Sequence, residues 1–141
     1  MIASPDLYLK RFESVERKAE RLWFHHYRPA AGDVVVDAGA GIGEDTIVFS
    51  RRVTQTARVI AIEAHSRVFR CLQKTVRRSG LANVTALLCA VYSSEGEIFI
   101  STDELHAANT VVDAAPGERV TARSSGSLFE ELGLQRVDLL S

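Results

Sequence analysis

The stretch that decides the fold is VVVDAGAGIG, residues 34–43. Its β-branched run lacks polar alternation, which is typical of a strand covered on both faces in a parallel sheet. Three glycines follow in the spacing GxGxG, at Gly39, Gly41 and Gly43. Glycines at a strand-to-helix junction permit a tight turn and let a ligand approach the backbone beside the positive end of the helix. The stretch predicts a strand, a ligand-binding loop and a helix.

The alternation of strands and helices continues after this loop. Helices are predicted over residues 44–53 and 66–79, and strands over 58–62 and 84–90. Strands joined through helices by short connections indicate right-handed crossovers and a parallel sheet flanked by helices. The predicted fold class is therefore α/β.

Both ends of the chain depart from this pattern. Before the glycine loop, a helix start at Ser4-Pro5-Asp6 and apolar residues at helical spacing predict one or two amphipathic helices over residues 5–27. After residue 93, short extended segments predict a small antiparallel excursion, then a short helix and a last buried strand. These segments are residues 97–101, 110–112 and 119–122, the helix 127–132 and the strand 137–140.

Composition excludes several classes of protein. The chain has 141 residues, 17 Lys and Arg against 18 Asp and Glu, and 46% hydrophobic residues, as expected for one globular domain. No apolar run approaches the roughly 20 residues of a membrane helix, and the N-terminus lacks the apolar block of a signal peptide. A cytoplasmic protein without a membrane partner is predicted. Cys71 and Cys89 lack metal-site spacing, so buried reduced thiols are expected and a metal is not.

Charge is distributed unevenly along the chain. Between residues 51 and 78 there are eight basic residues and one acid, Glu63. Such a stretch is one mark of a nucleic-acid surface. The favoured interpretation is a solvated helix face, because Arg67, Arg70 and Lys74 recur at helical spacing opposite apolar residues. Nucleic acid is accordingly not expected as a partner.

The details of the glycine loop narrow its ligand. The spacing differs from the GxGxxG of dinucleotide enzymes, which disfavours an NAD-dependent oxidoreductase, and no Lys-Ser/Thr follows as in a P-loop. Asp37 precedes the first glycine by two residues and is suited to a cationic or hydroxylated ligand. Glu63 ends the second strand, where an acid can bind both ribose hydroxyls of a nucleoside. The alternatives are a plain tight turn, a helix cap at Asp37 and a solvated acid at Glu63.

These residues carry a family resemblance. Residues 37–43 resemble motif I of the class I S-adenosylmethionine-dependent methyltransferases, and Glu63 matches their acid after the second strand. Residues 32–46, 59–64 and 131–140 resemble the FkbM family more narrowly. The resemblance implies a Rossmann-like methyltransferase sheet, S-adenosylmethionine as cofactor and O-methylation of a hydroxyl on a sugar or small metabolite. Together with the helices predicted before the glycine loop, it divides the chain into an N-terminal helical cap at residues 1–31 and a cofactor-binding domain at 32–141.

The resemblance also implies roles for individual residues. The loop of Gly39, Ala40, Gly41 and Gly43 would face the methionine and ribose parts of the cofactor. Glu63 would hold the ribose hydroxyls, Asp37 would orient the loop and the cofactor's amino end, and the adenine would be bordered by Ala64, Cys89 and Ala90.

Departures from the family concern His65, where proline is usual, and residues 127–129, where a Thr-Leu-acid element is usual. No catalytic residue is predicted, because His25, His26 and His106 fit aromatic packing or a surface loop better than catalysis. In the FkbM family, a lysine and an acidic cluster follow the strand matched by residues 137–140, whereas this chain ends at Ser141. We therefore expect a C-terminally truncated methyltransferase domain with a small-molecule acceptor. The alternative is a catalytically silent nucleoside-binding or dimerisation module, with a homo-oligomer formed through the exposed sheet edge.

Overall fold

The computed structural model describes residues 12–24, 27–100, 111–112 and 117–141. Its helices and strands alternate along the first two thirds of the chain and form two four-stranded sheets. In chain order the elements are α1 (Phe12–Leu22), β1 (Val34–Ala38), α2 (Glu44–Val53), β2 (Arg58–Glu63), α3 (Ser66–Arg78), β3 (Val84–Leu88), β4 (Ala90–Val91), β5 (Gly96–Ile100), β6 (Val111–Val112), β7 (Glu118–Arg123), α4 (Ser125–Glu131) and β8 (Leu139–Leu140).

The first sheet is parallel, with the strand order β3-β2-β1-β8. Its central strands are apolar on both faces, as the sequence predicts, and Val35, Val36, Val59 and Ile60 are fully buried. In the register of β1 and β2, Ala38 lies opposite Ile62. The two strands therefore end at the same edge, which we call the carboxyl edge. The predicted α/β fold with a parallel sheet is confirmed.

Helices cover both faces of this sheet. On one face, Phe49 of α2 packs with Val35, Val59 and the buried Phe24 that follows α1. On the other face, Leu128 of α4 packs in a second cluster that contains Val36, Ile60 and Ile62. Alternate side chains along β1 and β2 thus enter opposite cores, which holds the carboxyl edge in a fixed place.

The second sheet has the order β4-β7-β5-β6, in which β4 runs parallel to β7 and the other pairs are antiparallel. It confirms the predicted excursion after residue 93. The strand predicted over residues 84–90 is wrong in one respect, because it breaks at Cys89. The Cys89 N–H donates to the Glu63 carbonyl at 3.2 Å, and β2 ends there. Ala90 then pairs with Ala122 of β7, so the chain changes sheets.

The N-terminal helix ends earlier than predicted. The helix predicted to reach residue 27 stops at Leu22, and its predicted start at residues 4–6 lies outside the described residues. Leu22, the last residue of the helix, is 52% exposed. The helix ends here because Trp23 and Phe24 turn inward and pack edge-on against Phe49.

The C-terminal elements also differ from prediction. The helix predicted over residues 127–132 begins at Ser125, because Ser124 is its N-cap and accepts a hydrogen bond from the Ser127 N–H at 3.3 Å. The strand predicted over residues 137–140 pairs with β1 only at Leu139–Leu140. Asp138 lies just before it and accepts a hydrogen bond from the Val34 N–H through its carboxylate at 2.8 Å.

Two smaller predictions can be compared with the structure. Cys71 and Cys89 are free and buried, as expected. A search of the described residues finds no helix that is long and apolar enough to cross a membrane.

Candidate functional site

The glycine loop folds back over the carboxyl edge of the parallel sheet. The N–H groups of Gly39 and Ala40 both donate to the Ile62 carbonyl, each at 2.8 Å. Ala40 is buried and packs against Ala61 of β2 and Leu72 of α3. The loop is therefore tied to the end of the neighbouring strand and is held in place before any ligand arrives.

The three glycines of the loop differ in what surrounds them. All have positive φ, at 73° for Gly39, 60° for Gly41 and 97° for Gly43. A Cβ on Gly39 or Gly41 would meet no atom within 4 Å, so these two line open space. A Cβ on Gly43 would lie 3.0 Å from Leu72 Cδ1 and 3.1 Å from Thr75 Cγ2. Gly43 thus allows α2 to pack against α3, whereas Gly39 and Gly41 leave room for a ligand.

Glu63 lies against this loop, as its position at the end of β2 predicts. Its Oε2 accepts a hydrogen bond from the Gly41 N–H, and its Oε1 accepts one from the His65 N–H, each at 2.9 Å. A carboxylate oxygen has two lone pairs, so each oxygen retains an acceptor site for a ligand hydroxyl. The two main-chain bonds orient the carboxylate and leave it able to bind.

Asp37 lies beneath the loop and is 4% exposed. Its Oδ2 accepts a hydrogen bond from the Thr46 hydroxyl at 2.7 Å, and its Oδ1 accepts one from the Ser141 hydroxyl at 2.9 Å. Burial raises the pKa of this carboxyl above its ordinary value, against the lowering effect of the two hydroxyl donors. Asp37 thereby connects β1 to α2 and to the residue after β8.

The residues predicted to border an adenine lie at the adjoining ends of β2 and β3. Ala64 and Ala90 are half-buried. Cys89 is close to Glu63 through its main chain, but its side chain packs in the core with Val36 and Leu128. Burial raises the pKa of this thiol. At Cys89 the backbone is therefore the part available to a ligand.

Sequence reasoning missed Glu118, which begins β7 of the second sheet. Its two carboxylate oxygens each lie 3.3 Å from the Ser66 N–H at the start of α3, where an anion is favoured by the helix dipole. Its Oε2 is also 3.7 Å from Nε2 of His65. Glu118 thus joins the second sheet to the turn that holds Glu63. Because 52 residues separate Glu118 from Ser66, no local pattern signals this contact.

Helix α1 is anchored beside the glycine loop through Asp45, in the first turn of α2. Asp45 Oδ2 accepts a hydrogen bond from the Trp23 indole N–H at 3.1 Å and lies 3.9 Å from Lys18 Nζ. Its Oδ1 is buried and has no hydrogen-bond partner within the described part of the chain. The helical segment before the sheet therefore contacts the helix that follows the loop.

Within the described ranges, no three His, Cys, Asp or Glu side chains lie close enough together to bind a metal ion. The three histidines considered as catalytic candidates, His25, His26 and His106, lie outside the described residues.

A sequence model of one protein family covers strands β1, β2 and β3 of the parallel sheet together with the glycine loop. The protein-L-isoaspartate(D-aspartate) O-methyltransferase family model matches residues 24–96, just over half of the 141 residues. The chain belongs to this methyltransferase family. The matched region contains the glycine loop and Glu63. No curated protein matches this chain.

Solved structures similar to this chain have low sequence identity to it. A protein from Clostridium thermocellum described as an rRNA methylase is 23% identical, over 55% of this chain and 40% of that one, with a TM-score of 0.47. A SAM-dependent methyltransferase from Aquifex aeolicus is 24% identical, over 61% and 47%, with a TM-score of 0.45. A protein-L-isoaspartate O-methyltransferase is 22% identical, over 62% and 24%, with a TM-score of 0.44. The region shared with each is less than half of that protein's length.

The cofactor of this methyltransferase family is S-adenosylmethionine. The residues at the carboxyl edge fit this group. Gly39 and Gly41 leave space that a side chain would fill, and Glu63 presents acceptor lone pairs beside that space. An adenosine offers hydroxyl donors on its ribose, which suit a carboxylate.

Proposed function

We propose that this chain binds S-adenosylmethionine at the carboxyl edge and is the cofactor-binding part of an O-methyltransferase. The observation that carries this proposal is the contact between the Glu63 carboxylate and the Gly41 N–H, 2.9 Å long, beside two glycines that face open space. A carboxylate held in this way can accept both ribose hydroxyls while the glycines let the nucleoside approach the backbone.

Each predicted site residue has a role in this proposal. Gly39 and Gly41 admit the cofactor, and Glu63 binds its ribose hydroxyls. Asp37 fixes the base of the loop through Thr46 and orients the cofactor's amino end. The adenine is bordered by Ala64 and by the Cys89–Ala90 backbone, with Ala40 and Gly43 supporting the loop from within.

We further propose that residues 1–31 cap a cofactor-binding domain at residues 32–141, in a cytoplasmic protein. The contact between Trp23 and Asp45, at 3.1 Å, supports the cap, because it attaches the N-terminal segment beside the loop.

Methyl transfer needs little covalent chemistry from the protein. Bound S-adenosylmethionine supplies an electrophilic methyl group on a sulfonium, and the chain supplies orientation. A hydroxyl acceptor would gain the methyl group and release its proton to solvent, whereas a carboxylate acceptor would gain the methyl group without losing a proton; S-adenosylhomocysteine would be the other product in both cases. The loop hydrogen bonds to Ile62 hold the binding groups in place before the cofactor arrives, which lowers the cost of orienting it.

Two acceptor classes follow from different observations. The FkbM resemblance of residues 32–46 favours a hydroxyl on a sugar or small metabolite. The family match over residues 24–96 favours an isoaspartyl carboxylate in a protein. The products differ chemically, because a methyl ester is hydrolysed by mild base and a methyl ether is not. Transfer of labelled methyl to isoaspartyl peptides or to sugars, followed by base treatment, identifies the acceptor class.

Cofactor binding is tested by calorimetry with S-adenosylhomocysteine, using Gly41→Arg and Gly80→Arg as matched variants. Gly41 and Gly80 have φ values of 60° and 63°, and a Cβ added at either position would meet no atom within 4 Å. Gly80 follows α3 and precedes β3, at the opposite edge of the sheet. We expect Gly41→Arg to lose binding by a hundredfold or more, about 3 kcal/mol, and Gly80→Arg to bind like the parent.

Absence of binding in the parent chain, equal loss in both variants or preferential binding of NAD would contradict the proposal. Binding without methyl transfer to either acceptor class would instead favour the silent nucleoside-binding module. In that case, sedimentation shows whether the chain dimerises.

A further inference from the structure

Helix α3 carries a surface that the cofactor site does not explain. Five basic side chains on it are exposed, and the helix contains no acid. With successive residues rotated by about 100°, all five fall within a sector of roughly 100°. We call this set the α3 basic stripe; its members are Arg67, Arg70, Lys74, Arg77 and Arg78.

Several arginines outside α3 make ion pairs, although the exposed Arg17 and Arg21 of α1 make none within the described ranges. Arg28 and Arg52 both pair with Glu20, each at 2.5 Å. Arg123 pairs with Glu95 at 3.0 Å. By contrast, none of the stripe side chains makes an ion pair with another residue of the described ranges. The stripe side chains therefore have no ion-pair partner within the described chain, although the Glu118 carboxylate lies at the first residue of α3.

Repulsion among the stripe side chains lowers the stability of helix α3. Arg67 and Arg70, Arg70 and Lys74, and Lys74 and Arg77 are neighbours three or four residues apart, and like charges at these spacings repel. Arg67 also lies in the first turn, where the helix dipole disfavours a cation, whereas Arg77 and Arg78 lie in the last turn, where the dipole favours one. A helix face that served only solubility would be more stable with both acidic and basic side chains. The stripe therefore points to a polyanionic partner outside the chain.

We propose that the α3 basic stripe is a docking surface for the phosphate backbone of a nucleic acid. Four of its five cations are arginines, whose planar guanidinium matches phosphate with two hydrogen bonds. The rise from Arg67 to Arg77 is roughly 15 Å, long enough to follow several phosphates of one strand. A lipid surface fits less well, because interfacial helices insert apolar side chains, and the exposed large apolar residues of the described chain lie outside α3.

The stripe begins close to the cofactor site. Helix α3 starts three residues after Glu63, so Arg67 lies near the carboxyl edge of the sheet. A strand docked on α3 passes that edge. The sequence predicts that this helix face is solvated, and the stripe is indeed exposed. The sequence also favours no nucleic-acid partner, whereas the clustering on α3 of cations without ion pairs in the described ranges favours one. This inference goes beyond the proposed function and does not depend on cofactor binding.

Fluorescence anisotropy with a labelled single-stranded oligouridine tests the proposal between about 50 and 200 mM salt. The test variant is Arg70→Gln with Lys74→Gln, and the control is Arg28→Gln with Arg119→Gln, which removes the same charge elsewhere. We expect the parent to bind and the stripe variant to bind about tenfold more weakly. Its slope of log affinity against log salt should be smaller by about 1.4, since each lost single-strand contact contributes about 0.7. The control should change affinity less than about twofold.

Melting temperature provides the folding check. Because Arg70 and Lys74 repel each other, the variant that replaces both should be at least as stable as the parent. A second variant, Arg67→Gln with Arg77→Gln, should show the same loss of binding. The proposal is overturned if the parent does not bind, or if the control loses as much affinity as the stripe variant. Tighter binding of polyglutamate, or of vesicles of phosphatidylcholine and phosphatidylserine, than of the RNA also overturns it in favour of an acidic peptide or a membrane.

Discussion

The residues at the amino and carboxyl edges of the parallel sheet differ in how they surround the strand ends. At the amino edge, polar side chains close off the backbone: Asn83 bonds to the end of α2, and Asp33 accepts hydrogen bonds from Tyr27 and Ala30. At the carboxyl edge, Gly39 and Gly41 face open space and Glu63 keeps lone pairs for a ligand. Polar side chains thus satisfy the backbone at one edge, whereas the other edge has open space and acceptor lone pairs, as the proposed cofactor site requires.

Asn83→Ala should have the largest effect on stability. Its Nδ2 donates to the carbonyls of Ser50 at 3.0 Å and Thr54 at 2.7 Å, and its Oδ1 accepts a hydrogen bond from the Ser50 hydroxyl at 2.5 Å. The change leaves buried partners unsatisfied, so we expect the free energy of unfolding to fall by about 3 kcal/mol in urea titrations. Gln73→Ala, on an exposed position of α3, is the control and should change it by less than about 0.5 kcal/mol.

Affinity for S-adenosylhomocysteine sharpens this test. Because Asn83 lies at the amino edge, the folded Asn83→Ala variant should bind the cofactor product like the parent. If Asn83→Ala lowered the free energy of unfolding by less than about 1 kcal/mol, the stabilising role assigned to the amino edge would be wrong.

Gly43→Ala and Gly39→Ala should divide the glycine loop into two functions. At Gly43 the new Cβ meets Leu72 at 3.0 Å and adopts a φ of 97°, so we expect a loss of about 2 kcal/mol from strain and crowding. At Gly39, with a φ of 73° and open space, only the backbone strain remains, about 1 kcal/mol.

Binding should follow the reverse order in these variants, with Gly39→Ala weakening S-adenosylhomocysteine more than Gly43→Ala in calorimetry. Equal effects of the two substitutions on both stability and affinity would show that the loop acts as one unit.

The smallest effect concerns the carboxyl groups at the two ends of β1. Hydrogen bonds from the Ala30 N–H and the Tyr27 hydroxyl lower the pKa of Asp33, so its stabilisation is present above the ordinary value of 3.8 and is lost as pH falls through the lowered pKa. Burial raises the pKa of Asp37, so its contribution is present below 3.8 and is lost as pH rises through the raised pKa.

Thermal unfolding from acidic to neutral pH measures both effects against Asp33→Asn and Asp37→Asn. The stability advantage of the parent over Asp33→Asn should shrink on acidification below pH 3.8. The difference in stability between the parent and Asp37→Asn should shift in favour of the parent as pH is lowered towards 3.8. Slopes of the same sign for the two positions would contradict the different environments assigned to them.

Prediction from the sequence was most accurate where the signals are local. The helix predicted over residues 44–53 is observed as Glu44–Val53, because the glycine before it and the apolar spacing within it determine both ends. The strand predicted over 84–90 was wrong beyond Leu88, because the change of sheet at Cys89 depends on where β2 ends. Glu118 was missed because its partners, Ser66 and His65, are distant in sequence.

The sequence by itself determined the order of strands and helices, the position of the glycine loop and the acid at the end of β2. These follow from apolar periodicity and from glycine conformation, which act over a few residues. Only the tertiary structure decided that Gly43 packs while Gly39 and Gly41 stay open, and that the α3 basic stripe makes no ion pair within the described chain. Burial and charge pairing depend on segments far apart in the chain, which meet only when the sheet has formed.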